Sequence, residues 1–398
     1  MALNKEYKKK LESNIWKFRL FEMFSGVWFF IPILVLFWQD NGLSYTQIMV
    51  LQSVYAMAIV FLEVPTGYFA DLYGRKKSLV IGAIGLFFAV LIYSFSSTYL
   101  QFFAAEMFYA LSLSMISGAN SALVYDSLVT LKKESQYKRV WGDIVFYGLI
   151  ATAVGNVTGG FIGNYNFRWA FYAMIPFMLA LIIISLTLTE PRKHKKIVKK
   201  GYMLKILKTV KKTVFHNIKL RWLLFYAAII IGFNQAGLWL IQPYLLLSGV
   251  DVLYFGIIFA SFQLVAAVSS KYSHKVEESL GQKNSLIFLL VLLTLSYFLM
   301  SAFVFWFSFI FIYMRQFIRG FSSVVFSDYI NKLTSSEVRA TVLSVQSMFN
   351  RLVYALIIPI FGYIADVFTL TYTMFIIGAS GLVVGSILLL ILWKDRVI

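Results

Sequence analysis

Residues 61–80 read FLEVPTGYFADLYGRKKSLV. An apolar run passes into Gly67-Tyr-Phe-Ala-Asp71-Leu-Tyr-Gly74-Arg75-Lys76-Lys77 and becomes apolar again at Leu79. Upstream the apolar stretch covers 46–69 and downstream it covers 79–97. Each is long enough to cross a hydrocarbon layer about 30 Å thick as a helix. Gly74 permits a tight turn between them. Asp71 and Arg75 set opposite charges at the membrane boundary, and the cations hold the turn on the cytoplasmic side.

Ten further stretches of the same kind follow the pattern: 18–38, 99–128, 141–163, 168–189, 222–247, 253–270, 284–302, 304–330, 340–365 and 370–393. Sixty per cent of the 398 residues are hydrophobic and 14 per cent are charged, where a soluble domain carries about a quarter charged residues. The net charge of +18 is distributed by loop. Six Lys and Arg lie at or before the head of the first stretch, and twelve lie between residues 192 and 221. Alternate loops are basic, and the intervening ones hold only Arg168. The basic charge therefore records topology, with both termini and the central loop cytoplasmic, and nucleic acid is not an expected partner. No short basic-apolar leader with a small-residue cleavage site precedes the first stretch, which is expected to stay in the protein. The expected architecture is an all-α membrane protein of twelve spans with no cofactor.

The two halves echo each other at an offset of about 202–207 residues. Gly118 and Asp126 recur as Gly320 and Asp328, Gly160 as Gly362, and Gly74 as Gly281. This divides the chain into a six-span bundle over 1–189, a basic linker over 190–221 and a second six-span bundle over 222–398. Within the linker, Lys205, Lys208, Lys211 and Lys212 interleave with Leu204, Ile206, Leu207 and Val210. That spacing suits an amphipathic helix on the membrane surface; a solvated linker is the alternative.

The turn at 67–77 resembles the G-x-x-x-D-x-x-G-R-[KR] signature of the major facilitator superfamily, and the twelve-span plan extends the resemblance over the whole chain. The resemblance implies two pseudo-symmetric halves that rock around a central site, a monomer as the default, and a conformational latch at Gly67, Asp71, Gly74 and Arg75. In the family that arginine pairs with an acid at the inner end of span 4, which here is Asp126. The second copy of the turn departs from the pattern: Glu278 takes the place of Asp71, and Gln282-Lys283 replace Arg75-Lys76. Span 5 contains Gly155-Asn-Val-Thr-Gly159-Gly160-Phe-Ile-Gly163. This is similar to the glycine-rich motif of drug–proton antiporters, except that Gly160 stands where that motif has proline. Small residues at this spacing also simply permit close helix packing.

Charges deep in apolar stretches are expensive and mark functional positions. In the first half they are acidic: Glu22, Glu63, Glu106 and Asp143. In the second half they are basic: Arg315, Arg319 and Arg351. Arg315 and Arg351 each lie about eleven residues, or about 16 Å, into their spans. Glu63 and Glu106, with Glu22, are candidate proton carriers, because a desolvated carboxylate can load and release a proton. The competing readings are static ion pairs, including one between Glu22 and Arg19. The arginines are candidates for binding an anionic group. Span 7 adds Asn234, Gln235, Trp239 and Gln242; helical spacing places Gln235, Trp239 and Gln242 on one face, where Trp239 could stack on a substrate.

With no cysteine and three histidines in predicted loops, no metal site, disulfide or membrane-embedded enzyme chemistry is expected. The reading is a secondary transporter working by alternating access, with proton-coupled export of small amphipathic molecules leading. Uptake of a polar or anionic solute, a lipid flippase, and a degenerate receptor-like or structural role stay open. The short loops point to a prokaryotic inner membrane. The expected partners are the bilayer, a small-molecule substrate and protons.

Overall fold

The computed structural model describes residues 4–191, 217–335 and 338–395. In hydrocarbon a backbone must satisfy its own polar groups, so apolar runs of this length fold as helices; the described residues contain helices and no strand. Ten helical segments among them are long and apolar enough to cross a membrane. The amphipathic helix expected near Leu204 lies outside the described residues.

The described residues form two compact units. The first takes those of Met1–Leu43, Val54–Lys196 and Val252–Ala260; the second takes those of Ser44–Ser53, Ile197–Asp251 and Ser261–Ile398. The boundaries cross helices, so the units do not follow chain order strictly.

The helices of the first unit are α1 (Lys5–Ser25), α2 (Leu34–Asp40), α3 (Tyr45–Tyr73, shared with the second unit), α4 (Arg75–Phe95), α5 (Tyr99–Ser117), α6 (Asn120–Thr130), α7 (Tyr137–Tyr165) and α8 (Phe167–Thr187). Polar caps set several ends. The Thr98 and Gln101 side chains form a reciprocal capping box at the head of α5, and the Asn166 side chain accepts from the Arg168 amide at the head of α8; both satisfy orphan amides of a first turn. The stretch 18–38, expected as one span, is interrupted: α1 stops at Ser25 and helical geometry resumes only at Leu34. Pro32 lies within the interruption and has no amide to donate. The carbonyl of Phe29 meets α7 there.

The second unit contains α9 (Ile218–Ala236), α10 (Ile241–Leu247), α11 (Val252–Ala302, whose head belongs to the first unit), α12 (Ile312–Lys332), α13 (Arg339–Val367) and α14 (Leu370–Lys394). The 51-residue α11 carries non-helical geometry at Gly281 (φ +72°), where the chain turns between two of the expected spans. A single 3₁₀ turn, Leu238–Leu240, separates α9 from α10. The stretch 222–247 is therefore broken like 18–38. On α14, Val383, Ile387 and Leu390 are 59, 52 and 63 per cent exposed. At four- and three-residue spacing they form an outward apolar stripe of the kind hydrocarbon stabilises.

Candidate functional site

Gly74 separates α3 from α4 with φ +115°, a conformation that disfavours a side chain. Its geometry aims the first amides of α4 outward. The Arg75 and Lys76 amides donate to the two carboxylate oxygens of Glu190, at 3.0 and 2.7 Å. A carboxylate at a helix N-terminus satisfies orphan amides and complements the helix dipole. The same carboxylate leaves a Cβ at position 74 only 3.2 Å of room. The Arg75 guanidinium, about one-fifth exposed, forms an ion pair with Asp126 on α6 and donates to the Ala122 carbonyl.

The family resemblance implied Asp126 as the partner of Arg75, and the structure brings the two together. The sequence reading missed Glu190, 115 residues from Arg75. The signal available was an acid placed to meet an uncapped helix start, and Gly74 marked that start. Around Glu190, Asn14 donates to the Thr189 carbonyl (2.8 Å) and to Ser127 (3.0 Å), tying α1 into the same cluster. Gly67 would carry a Cβ into open space; it is Gly118 whose Cβ would reach the Gly67 backbone, at 3.5 Å. The Asp71 side chain is exposed.

Glu190→Ala removes both acceptors and is expected to cost about 1–2 kcal/mol of stability, with Glu190→Gln losing less because the amide oxygen still accepts. Thermal unfolding of the detergent-solubilised protein checks this order. Equal melting temperatures for the three proteins would refute the cap.

Glu106, on α5, is 5 per cent exposed. It accepts a hydrogen bond from the Tyr93 hydroxyl on α4. The Tyr93 ring is itself enclosed. It stacks on Phe171 (4.9 Å between centroids, 7° between planes) and contacts Phe30, Trp38, Phe102 and Tyr109. Four helices (α2, α4, α5 and α8) and the interruption after α1 thus supply an aromatic chamber around one carboxyl group. A charge in such a place needs a counter-charge, hydrogen bonds or a proton. The other acids lie elsewhere. Glu22 accepts from the Asn120 side chain at 3.3 Å. Arg19 pairs with Asp143 at 2.9 Å; the Glu22–Arg19 pairing suggested by proximity in sequence is corrected, because the Arg19 fork reaches across to α7. Glu63 is exposed on α3, not buried.

In the second unit the three arginines have three environments. Arg315, on α12, is 2 per cent exposed. Its guanidinium donates to the Asn234 carbonyl and, at 3.2 Å, to the Gly237 carbonyl, both at the broken end of α9. It lies 4.8 Å from the centroid of the Tyr297 ring. The Tyr297 hydroxyl donates to the Phe233 carbonyl (2.6 Å) and accepts from the Gly237 amide (3.0 Å). Cation and hydroxyl together satisfy the end of a helix whose dipole is negative there. Arg319, one turn on, is exposed and donates to Gln263 on α11 at 2.5 Å. Arg351 is half-buried on α13 and forms no ion pair among the described residues.

The shared face expected for Gln235, Trp239 and Gln242 does not form, because α9 ends at Ala236 and helical spacing stops holding. Gln235 is exposed and Gln242 is 3 per cent exposed. Trp239 is half-buried and donates through Nε1 to the Tyr354 hydroxyl at 2.6 Å. The Asn234 side-chain oxygen is buried without a hydrogen bond among the described residues.

The glycines of α7 serve close packing. Cβ atoms at Gly155, Gly159 and Gly163 would meet the Trp28 amide nitrogen at 2.9 Å, the Phe29 carbonyl oxygen at 1.8 Å and the Ile33 side chain at 2.7 Å. One at Gly160 would meet the Gly256 backbone at 2.6 Å.

Solved structures share the arrangement. The nucleoside transporter NupG superposes with a TM-score of 0.77 at 15% identity, covering 98% of this chain and 99% of that one. A bacterial homologue of the human lysosomal transporter Spinster gives 0.70 at 14% identity, covering 98% and 95%. At these identities the likeness is one of fold. Among curated proteins, Multidrug resistance protein 1 of Bacillus subtilis is 27% identical over 190 residues, 47% of each chain. The quinolone resistance protein NorA of Staphylococcus aureus is 22% identical over 181 residues, 44% of this chain and 45% of its own. The chain thus spans about half the length of the curated relatives it matches. The model of the Major Facilitator Superfamily matches residues 20–357, most of the chain, and with the signature turn and the helical fold this establishes that the chain belongs to that superfamily.

Proposed function

We propose that this transporter is a proton-coupled exporter of small amphipathic molecules. In this reading it has twelve spans in two six-helix bundles, is monomeric, keeps both termini in the cytoplasm and works by alternating access in a prokaryotic inner membrane. The observation that carries the reading is the Glu106 carboxyl group, hydrogen-bonded to Tyr93 inside an aromatic chamber. A group so placed changes its hydrogen-bonding and its hydration together if the surrounding helices move, which is what a proton carrier requires. The likeness to multidrug and quinolone resistance proteins supports export and drug-like substrates. The Arg75–Asp126–Glu190 cluster is the latch of this cycle. Arg315 acts in it by holding the break between α9 and α10, and Glu22 and Glu63 are secondary proton sites.

The test uses everted membrane vesicles acidified by respiration, with lipophilic cations, neutral drugs and organic anions added singly. Substrate is expected to trigger proton release in the wild type, and Glu106→Gln at equal membrane abundance is expected to abolish it. Full proton release in Glu106→Gln would remove the assignment; Glu63→Gln and Glu22→Gln run beside it test the secondary sites.

A second reading, uptake of an anionic solute, is favoured by Arg319, an exposed guanidinium whose hydrogen-bond partner is the neutral Gln263. Arg351 and the exposed Gln235 would line the same path. Uptake of a labelled organic anion that Arg319→Gln abolishes would favour this reading over export.

A further inference from the structure

An open groove of about 280 Å³ runs between α11 and α12 in the second unit, lined by Leu264, Val268, Tyr272, Val276 and Phe317, with Val265 and Ser269 in its floor. It is largely apolar: the lining carries two hydroxyls, those of Ser269 and Tyr272, and that of Ser269 donates to the Phe317 carbonyl at 2.7 Å. Leu264, Val268 and Tyr272 are 67, 55 and 43 per cent exposed, so the groove is open to its surroundings. It does not belong to the polar side of these helices. Gln263, which holds Arg319, is nine residues from Tyr272, and at about 100° per residue the two side chains leave α11 on opposite sides.

One end of the groove is cationic. The Lys271 and Lys275 ammonium groups lie 5.4 and 5.5 Å from the centroid of the Tyr272 ring. Neither lysine forms an ion pair among the described residues. Of the two nearby acids, Glu277 accepts from Tyr329 at 2.7 Å and Glu278 is exposed one turn on. An apolar groove along two spanning helices, with two ammonium groups beside the amphipathic ring of Tyr272, has the chemistry of a single amphiphile: an acyl chain with an anionic head.

We propose that the groove seats one acyl chain of an anionic glycerophospholipid whose phosphate is held between Lys271 and Lys275. The ring of Tyr272 lies at the glycerol level, where tyrosine is favoured at membrane interfaces. The two lysines select for the negative headgroup, and the groove selects for a lipid over a soluble anion. The site is separate from the proton and substrate positions, so it stands or falls independently of the transport reading.

The experiment is native mass spectrometry of the full chain, purified and delipidated in detergent, with phosphatidylglycerol or phosphatidylcholine added at equal concentration. The wild type is expected to retain one more tightly bound phosphatidylglycerol than phosphatidylcholine. Lys271→Gln with Lys275→Gln is expected to weaken that site by about tenfold or more. Val268→Trp fills the groove, leaves both lysines in place and is expected to remove the same lipid. Both changes fall on exposed positions, and an unchanged elution volume and melting temperature confirm folding. Equal retention of the two lipids by the wild type would overturn the proposal. So would phosphatidylglycerol binding unaffected by Val268→Trp, since that would mean unspecific attraction to surface charge, and so would binding unaffected by the double glutamine change.

Discussion

Gly159→Ala is expected to prevent α7 from seating against the first unit, with a loss of at least about 3 kcal/mol, the upper end of what overpacking costs. The added Cβ would stand 1.8 Å from the Phe29 carbonyl oxygen, 2.6 Å from its carbon and 2.8 Å from its Cα. These are backbone atoms of the interruption between α1 and α2, so no side chain can turn aside to make room. Moving α7 outward would also open the contacts at Gly155 and Gly163 on the same face. Alanine is the better helix former by about 1 kcal/mol, which opposes the loss and is too small to offset it. Gly142 is the control. It lies on the same helix with nothing within 4 Å of its Cβ, so Gly142→Ala is expected to be neutral or to stabilise by up to about 1 kcal/mol. Expression, elution profile and melting temperature of the two variants in detergent report the difference. A monodisperse Gly159→Ala protein that melts with the wild type would sink the account.

Arg315→Met is expected to destabilise the second unit by about 3 kcal/mol. Two charge-assisted hydrogen bonds to helix-end carbonyls are lost, together about 3–6 kcal/mol, with a desolvated cation–π contact worth about 2 kcal/mol. Against this, removing a buried guanidinium relieves about 2.5–3.5 kcal/mol of insertion cost. The loss wins because the Asn234 and Gly237 carbonyls are left facing an apolar side chain. Arg315→Lys is not expected to restore stability, since an ammonium is a point charge without the planar fork that spans the two carbonyls. Thermal unfolding of the two variants reads the effect directly. A lysine variant that melts with the wild type would show that the charge alone matters and that the fork geometry does not.

The candidate sites were legible in part. Arg315, Glu106 and Gly159 stood out in the sequence because charge in an apolar run and small residues at helical spacing are local signals. What each one meets was not legible. Arg315 reads as a substrate contact until Gly237 is seen to break the helix and leave two carbonyls for it to hold. Gln235, Trp239 and Gln242 read as one face only while the helix is assumed continuous. Arg19 lies three residues from Glu22 and pairs with Asp143 instead, because a long side chain near a helix end reaches the neighbouring helix as easily as its own next turn. The glycines of α7 carry the spacing of a transport motif and of close packing alike, and only the structure shows which backbone and side-chain atoms they face.

The sequence by itself determined the class. The length of its apolar runs requires hydrocarbon and hence helices, and the Gly67–Lys77 turn resembles the signature of the superfamily whose model the chain matches. Both are written in composition and short-range spacing, which a linear chain displays openly. Only the tertiary structure decided the partnerships: Glu190 on the head of α4, Tyr93 on Glu106, the broken end of α9 on Arg315. Each joins separate elements of the chain, and the choice among possible partners is made by how helices pack. Hydrophobic patterning constrains that packing without specifying it.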